Sequence, residues 1–453
     1  MDKNMTKGSP LRLLIEFAFP LFIGNLFQQF YSMVDTIVVG RFVGVDALAA
    51  LGTISGFSFM VIGFAQGLAQ GFSVLISQRY GANDSAGMRK AYAQSIIASS
   101  AISILISFIF AMLSRQLLLL INTPENIIDM ANSYIMIIYI FLFCSVFYNL
   151  FSSVLRAVGD SKSPVAFLLI ASVLNIIMDL IFVICFHWDV IGVAIATVLS
   201  QGISALVSLI YIDRKYPSFR PTREDWKPDY KICVKLLRIG LPGAFQFSVC
   251  AIGVIIVQAV LNRFGSDIIA AYSVGTKIES VMTQFFVALG MAMSTFAGQN
   301  LGAIQVQRIR KGFRTATAVA VVYSLIATLF AILFSRPLSY IFVDRNTVDP
   351  DVIAKAVQYT VTVSYFFIPL GFIFVYRTGC QGLGSGAIPM LSSIIELALR
   401  CIAAFLLPSI CNDKYLGICL SSPMAWMGAG FILPFVYMAY MKSISAKISK
   451  FNQ

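Results

Sequence analysis

Residues 14–44 read LIEFAFPLFIGNLFQQFYSMVDTIVVGRFVG, and this stretch decides the class of fold. It is apolar over a length that can cross a bilayer, yet it contains Pro20 and Asp35. A second acid, Asp179, lies in another apolar stretch, SVLNIIMDLIFV, at 172–183. A carboxylate is costly in a hydrocarbon layer, and neither acid has a Lys or Arg next to it in the sequence. The two aspartates therefore indicate ion-coupled transport.

The composition agrees with a polytopic membrane protein. The 453 residues are 58% hydrophobic and 12% charged, with a mean hydropathy of +0.84, whereas soluble domains are about a quarter charged. Apolar runs of helical membrane length predict an all-α fold with twelve transmembrane helices. The predicted spans are 13–41, 48–77, 91–114, 127–155, 164–186, 191–212, 236–262, 268–297, 313–335, 353–381, 388–410 and 417–441.

The net charge of +12 fits membrane topology better than nucleic-acid binding. Lys and Arg concentrate in alternate loops, as at Arg89–Lys90 and in the polar segment 213–231, as the positive-inside rule requires. We expect a multi-pass protein of the cell membrane with both termini in the cytoplasm. Its partners are then the lipid bilayer and small molecules, with no nucleic acid, and we expect a monomer.

Cysteine and histidine usage predicts no metal centre and no cofactor. The eight cysteines are scattered without CxxC pairs, and His187 is the one histidine. Most of the cysteines are interpreted as small apolar packing residues, although Cys411 and Cys419 flank a short loop and would form a disulfide if that loop is external. A Walker motif and the common hydrolytic motifs are absent, so we expect neither an enzyme nor direct use of ATP.

The two halves of the chain resemble each other at an offset of 221–225 residues. The predicted domains are residues 1–212 and 236–453, each with six helices, joined by a cytoplasmic linker at 213–235. Six is an even number, so both copies have the same orientation and are related by a pseudo-two-fold axis along the membrane normal. The matching pairs are Pro20 and Pro242, SQRYGA (77–82) and GQNLGA (298–303), and RAVGDSKSP (156–164) and QGLGSGAIP (381–389).

Four polar residues of the first half lie at a similar predicted depth. At 1.5 Å per residue, Asp35, Asp179 and Thr197 lie roughly 9–10 Å from the outer ends of their helices. Asn175 lies one turn from Asp179 on the same helix face. These oxygen-bearing side chains suit a sodium ion, or a proton relay between the two carboxyls. An alternative for Asn175 and Thr197 is hydrogen bonding between helices.

The second half has a different set of intramembrane charges. Glu396 and Arg400 are spaced i, i+4 and can neutralise each other, so a structural ion pair and a substrate contact both remain open. Glu279 has no such partner on its own helix, and we interpret it as a cavity residue or as the partner of a base on another helix. In the first half, Pro20 is expected to bend the helix that carries Asp35.

With these motifs together, the chain resembles the multidrug and toxic compound extrusion (MATE) family over nearly its whole length. The resemblance rests on the proline of helix 1 followed by VDTIVVGRFVG (34–44), on SQRYGA and LRAVGDSKSP, and on their repetition in the second half. It implies two six-helix bundles around a central cavity, and export of lipophilic or cationic drugs driven by sodium ions or protons.

The resemblance also assigns the coupling site. Asp35 matches the family's helix-1 acid, and Asn175, Asp179 and Thr197 match cation-site positions of its amino-terminal lobe. One branch carries further acids in helices 7 and 10, where this chain has Cys250 and an apolar residue near Leu370. The chain is therefore similar to branches that couple through the first lobe. The alternative function is a flippase for lipid-linked precursors from the same superfamily.

Overall fold

The computed structural model describes residues 4–121, 123–343 and 349–451, which form α-helices and no strand. The helices before the central linker are α1 (Pro10–Val38), α2 (Val45–Gly81), α3 (Ser85–Leu120), α4 (Glu125–Ile140), α5 (Leu142–Ala157), α6 (Lys162–Leu180) and α7 (Asp189–Lys215). Those after it are α8 (Tyr230–Leu261), α9 (Ser266–Gly302), α10 (Val306–Ser339), α11 (Pro350–Ser364), α12 (Phe367–Gly382), α13 (Ala387–Ile410), α14 (Lys414–Cys419) and α15 (Ser421–Phe451).

Ten of the described helical segments are long and apolar enough to cross a membrane. Two further spans are broken pairs, α4 with α5 at an angle of 49° and α11 with α12 at 52°. If each broken pair counts as one span, the total is twelve, so the predicted all-α membrane fold is confirmed. The sequence predicted the broken pairs as continuous helices at 127–155 and 353–381, because hydropathy continues across a bend in the backbone.

The chain forms two compact units whose boundaries cut through two long helices. Unit 1 contains Ile23–Phe247, and unit 2 contains Met5–Phe22 together with the chain from Ser248 onward. The amino-terminal part of α1, up to Phe22, therefore belongs to unit 2, and the rest of α1 belongs to unit 1. For α8 the order is reversed: its amino-terminal part, up to Phe247, belongs to unit 1, and the rest belongs to unit 2. This division differs from the sequence-based one, which assigned 1–212 and 236–453 to separate lobes and 213–235 to a linker.

In unit 1, close helix packing explains why the start of α8 belongs there. A Cβ atom added at Gly67 of α2 would lie 2.3 Å from the carbonyl oxygen of Gly243, and one at Gly71 would lie 2.4 Å from Gly240 Cα. Only glycine at these positions permits such an approach of α2 to α8. Small residues allow the same kind of close contact between helices in membranes generally.

The linker before α8 is also attached to unit 1. Arg89 Nε donates to Asp225 Oδ2 at 2.5 Å, and Lys90 Nζ donates to Asp229 Oδ2 at 2.6 Å. The buried Gln94 amide donates to the carbonyl oxygens of Asp225 and Lys227. These contacts fix the predicted linker against the start of α3.

In unit 2, the segment before α1 is held by polar side chains of α9 and α10. The Met5 N–H donates to Gln299 Oε1 at 2.8 Å, and its carbonyl oxygen accepts from Asn300 Nδ2 at 3.1 Å. Arg308 donates to the carbonyl oxygens of Met5 and Gly8. The segment that begins at Met5 is therefore packed into unit 2. Elsewhere in this unit Cys411 and Cys419 are free thiols, so they form no disulfide.

Candidate functional site

Both acid-bearing helices of unit 1 change their winding just after the acid. Asp35 lies in the last turn of α1, which continues as a π-helical turn over Val39–Val43. Asp179 lies in the last turn of α6, which continues as a π-helical turn over Ile181–Cys185. Short π segments place an extra residue in one turn, and they occur frequently at functional sites.

An apolar cluster holds these two helix ends together. Val39 and Val183, one from each π-helical turn, are buried with Val190 and Val193 at the start of α7, and Tyr134 of α4 packs against them. The β-branched side chains are stiff, so they fix the spacing of the helix ends. This packing brings α1, α4, α6 and α7 together at the level of the two acids.

The four residues predicted as the coupling site meet at this place. The amide of Asn175, oriented by its neighbours, donates from Nδ2 to Asp35 Oδ1 at 3.1 Å and accepts at Oδ1 from the Thr197 N–H at 3.2 Å. The Asp35 carboxyl also lies within hydrogen-bonding reach of the Asp179 carboxyl. Asn175 and Asp179 are 1% and 0% exposed, whereas Asp35 is half-buried, so Asp179 is removed from water and Asp35 is partly so.

Two tyrosines complete the cluster, and sequence reasoning missed both. The Tyr31 hydroxyl lies within hydrogen-bonding reach of Asp35, and the hydroxyls of Tyr31 and Tyr134 lie beside Thr197. Tyr31 precedes Asp35 by one helical turn, and that i, i+4 spacing was the available sequence signal. Tyr134 gives no such signal, because it lies on a helix distant in sequence from both acids.

Two oxygens of the site have unused hydrogen-bonding capacity. Asp179 Oδ1 and Thr197 Oγ1 are buried and have no hydrogen-bond partner among the residues that the structure describes. Within the same described ranges, the ion pairs include neither Asp35 nor Asp179. Two adjacent carboxyls that form no ion pair with a described base can share a proton or hold a cation, because two bare negative charges would repel each other.

The other predicted residues lie in unit 2. Pro20 lies inside α1, which continues through it as a helix. Glu279 of α9 accepts a hydrogen bond from the Tyr359 hydroxyl of α11 at 2.5 Å. Glu396 and Arg400 form an ion pair with Arg400 Nη2 and Glu396 Oε1 2.7 Å apart.

Arg377 of α12 is a third member of that ion-paired group, and sequence reasoning did not identify it. Its Nη1 lies 3.3 Å from Glu396 Oε2, and the residue is 7% exposed. The signal was a single arginine inside the apolar stretch FIPLGFIFVYRTGCQG at 367–382. A lone intramembrane base usually pairs with an acid or contributes to function.

Comparisons with known proteins agree with this fold. The MatE family model matches residues 20–181 and 242–406, one segment in each half of the chain. The chain is 30% identical over 383 residues to the probable multidrug resistance protein YpnP of Bacillus subtilis strain 168, with 84% of each protein covered. It is 22% identical over 439 residues, 93% of each protein, to a protein of Shewanella oneidensis named FAD transporter.

A solved structure has the same fold. It is described as the outward-facing conformation of a multidrug resistance MATE family transporter of the MOP superfamily; the match has a TM-score of 0.90 at 22% identity and covers 97% of this chain and 98% of that one. The family model and the relatives thus define a multi-pass membrane transporter rather than an enzyme. The chain belongs to the MATE family of multidrug efflux transporters.

Proposed function

We propose that this transporter exports lipophilic or cationic organic compounds in exchange for sodium ions or protons. The observation that carries the proposal is the pair of adjacent carboxyls in unit 1, a buried Asp179 and a half-buried Asp35, which form no ion pair with any base that the structure describes. Such a pair is costly in a membrane unless it binds a proton or a cation. Relatives named for multidrug resistance and export support the drug as the other transported species.

In the proposed cycle, the coupling ion enters from outside and neutralises the two acids. Neutralisation changes the packing of the last turn of α1 and of its π-helical turn, and Pro20 supplies the bend by which the helix moves. Ion and drug favour different conformations, so each promotes release of the other in an alternating-access cycle. In this cycle both termini lie in the cytoplasm, and the ion enters from the outside of the cell.

The donor set suits both coupling ions. Sodium prefers hard oxygen ligands, and unit 1 provides the carboxyls, the Asn175 amide and the hydroxyl of Thr197 in one place. A proton needs only the two carboxyls, with Tyr31 as a hydrogen-bonding neighbour. The free oxygens Asp179 Oδ1 and Thr197 Oγ1 favour a ligand that accepts electron pairs, as both ions do.

The test is dye export from proteoliposomes under a sodium gradient alone and then under a pH gradient alone. One gradient is expected to drive export by the wild type and to fail with Asp35→Asn. Asp129→Asn is the matched control, because its carboxyl lies in unit 1, is 78% exposed and forms only a surface pair with Arg115. Export by Asp35→Asn at the wild-type rate under both gradients would contradict the proposed coupling site.

A flippase for lipid-linked precursors is the alternative that the sequence left open. The names of the relatives favour export of drugs instead. The same liposomes separate the two functions: a flippase would translocate a fluorescent polyisoprenoid lipid and leave the soluble dye in place.

A further inference from the structure

Unit 2 contains a buried charged cluster that the coupling cycle does not use. Arg377 of α12 and Arg400 of α13 both contact Glu396, one at each carboxylate oxygen, with N–O distances of 3.3 and 2.7 Å. All three side chains are at least nine-tenths buried. Both guanidinium groups therefore pair with Glu396, and the carboxyl of Glu279 lies near Arg400 as well.

The guanidinium groups have donors to spare. Each has five N–H groups, and each donates one hydrogen bond to Glu396. The Nε atoms of Arg377 and Arg400 are buried without a hydrogen-bond partner among the residues that the structure describes. Buried donors are almost always satisfied, so two adjacent unsatisfied ones on cationic side chains point to a missing anionic ligand.

The cluster is built to hold its arginines in place. A Cβ atom at Gly253 of α8 would lie 2.8 Å from Arg400 Nη1, so the glycine leaves room for the guanidinium against that helix. Arg377 lies over the Phe374 ring at 5.3 Å. Around the cluster, Cys250, Tyr272 and Glu279 are partly exposed, so it borders the surface of the unit.

The position of the cluster in the repeat supports a binding role. The offset of 225 residues, which relates Arg156 to Gln381, also relates Asn175 to Arg400 and Tyr134 to Tyr359. In unit 1 these positions belong to the coupling site, and in unit 2 they carry a cation and the tyrosine that donates to Glu279. The position of Asn175 in the coupling site thus corresponds to a cation, Arg400, in unit 2.

We propose that Arg377 and Arg400, bridged by Glu396, bind the carboxylate group of an amphipathic substrate. The planar guanidinium matches a carboxylate in geometry, and the charge-assisted hydrogen bonds strengthen in a dry site. An incoming carboxylate accepts hydrogen bonds from the N–H groups of Arg377 and Arg400 that have no partner among the described residues. The proposal deepens the export function by naming a substrate class, and it rests on that function for its role in the cell.

The test uses two dyes that differ in one group. Rhodamine 110 carries a carboxylic acid where rhodamine 123 carries its methyl ester, and both share the same cationic ring system. Binding to the purified full-length protein is measured by fluorescence polarisation without any gradient. Arg400→Gln is expected to weaken binding of rhodamine 110 by about tenfold or more, because a charge-assisted hydrogen bond is lost, and to leave rhodamine 123 within about twofold.

Arg336→Gln is the matched control, because this arginine is exposed in the same unit, and it should leave both affinities unchanged. An unchanged ratio of the two affinities in a folded, monodisperse Arg400→Gln protein overturns the proposal. If that variant does not fold, the wild type decides: no measurable binding of rhodamine 110 where rhodamine 123 binds also overturns it. Asp35→Asn should keep the wild-type ratio, so a failure of ion coupling is distinguishable from a failure of this site.

Discussion

Unit 1 and unit 2 each bury a polar cluster at related positions of the repeat, with opposite chemistry. In unit 1, Asp35 and Asp179 lie together with an amide and hydroxyls, and neither forms an ion pair with a base among the described residues. In unit 2, Arg377 and Arg400 both pair with the carboxylate of Glu396. The difference teaches that a duplicated helical scaffold fixes where buried polar groups can lie, while the side chains decide which ion or group binds there.

The largest expected effect concerns the acids of unit 1. Asp179→Asn should reduce gradient-driven dye export to the background of empty liposomes, because one carboxyl alone cannot share a proton or complete the ion site. The double variant Asp35→Asn with Asp179→Asn should be no worse, since residues that act as a unit are not additive. If a single variant keeps some export and the double variant loses it, the two acids act independently, and the prediction is contradicted.

The next effect concerns the ion-paired cluster of unit 2. Glu396→Gln removes the carboxylate that both buried guanidinium groups contact and should lower the free energy of unfolding by about 3–5 kcal/mol. Thermal unfolding in detergent measures it. Asp351→Asn is the control, because the Asp351 side chain is 63% exposed and the loss of its pair with Lys355 should cost less than about 1 kcal/mol. Equal losses of unfolding free energy in Glu396→Gln and Asp351→Asn would contradict the stabilising role of the buried ion pairs.

A smaller effect compares the loops that precede α6 and α13. Asp160 accepts from the N–H and the hydroxyl of Ser163 and from Lys215. At the related position of the second repeat, Ser385 accepts from the Ile388 N–H at 3.3 Å. Asp160→Asn should therefore cost about 2–3 kcal/mol, and Ser385→Ala about 1 kcal/mol. Equal losses of unfolding free energy in Asp160→Asn and Ser385→Ala, measured by thermal unfolding, would contradict this difference between the repeats.

The Asp160 effect should also depend on pH. Burial opposes its charged form, but the hydrogen bonds from Ser163 and Lys215 outweigh burial and hold the pKa of Asp160 below its ordinary value. The unfolded state then binds the proton more readily, so the stabilisation is fully present above about pH 4–5 and is lost as pH falls through the lower pKa of the folded state. The free energies of unfolding of the wild type and of Asp160→Asn should therefore converge as the pH falls through the pKa of Asp160 in the folded state. A difference between the two free energies that stays constant down to pH 3 would contradict this.

The smallest effect tests the related tyrosines. Tyr359→Phe removes the hydrogen bond to Glu279 and should cost about 1.5 kcal/mol of stability. Tyr134→Phe should change the ion dependence of export more than stability, because its hydroxyl lies near the two acids. Thermal unfolding of both variants measures the loss of stability, and export at a series of ion concentrations measures the ion dependence. If the two variants change stability and ion dependence equally, the structural role of Tyr359 and the coupling role of Tyr134 are contradicted.

The sequence by itself determined the helical membrane fold, the repeat, and four of the residues that meet in unit 1. Hydropathy, repeat motifs and the cost of a buried carboxylate are properties of short segments, so they can be read without contacts. The depth estimate placed Asp35, Asp179 and Thr197 at one level because each lies on a helix of known rise, and the structure brings them together with Asn175.

Only the tertiary structure decided the rest. Tyr134 joins the acids, and Arg377 joins Glu396, through contacts between helices that no spacing along the chain encodes. The bends within the pairs α4–α5 and α11–α12 escape hydropathy, which does not register a change of direction. The assignment of the amino-terminal part of α1 to unit 2 and of α8 to unit 1 depends on close packing between segments that are distant in the sequence. The approach of Gly67 to Gly243 is one such contact.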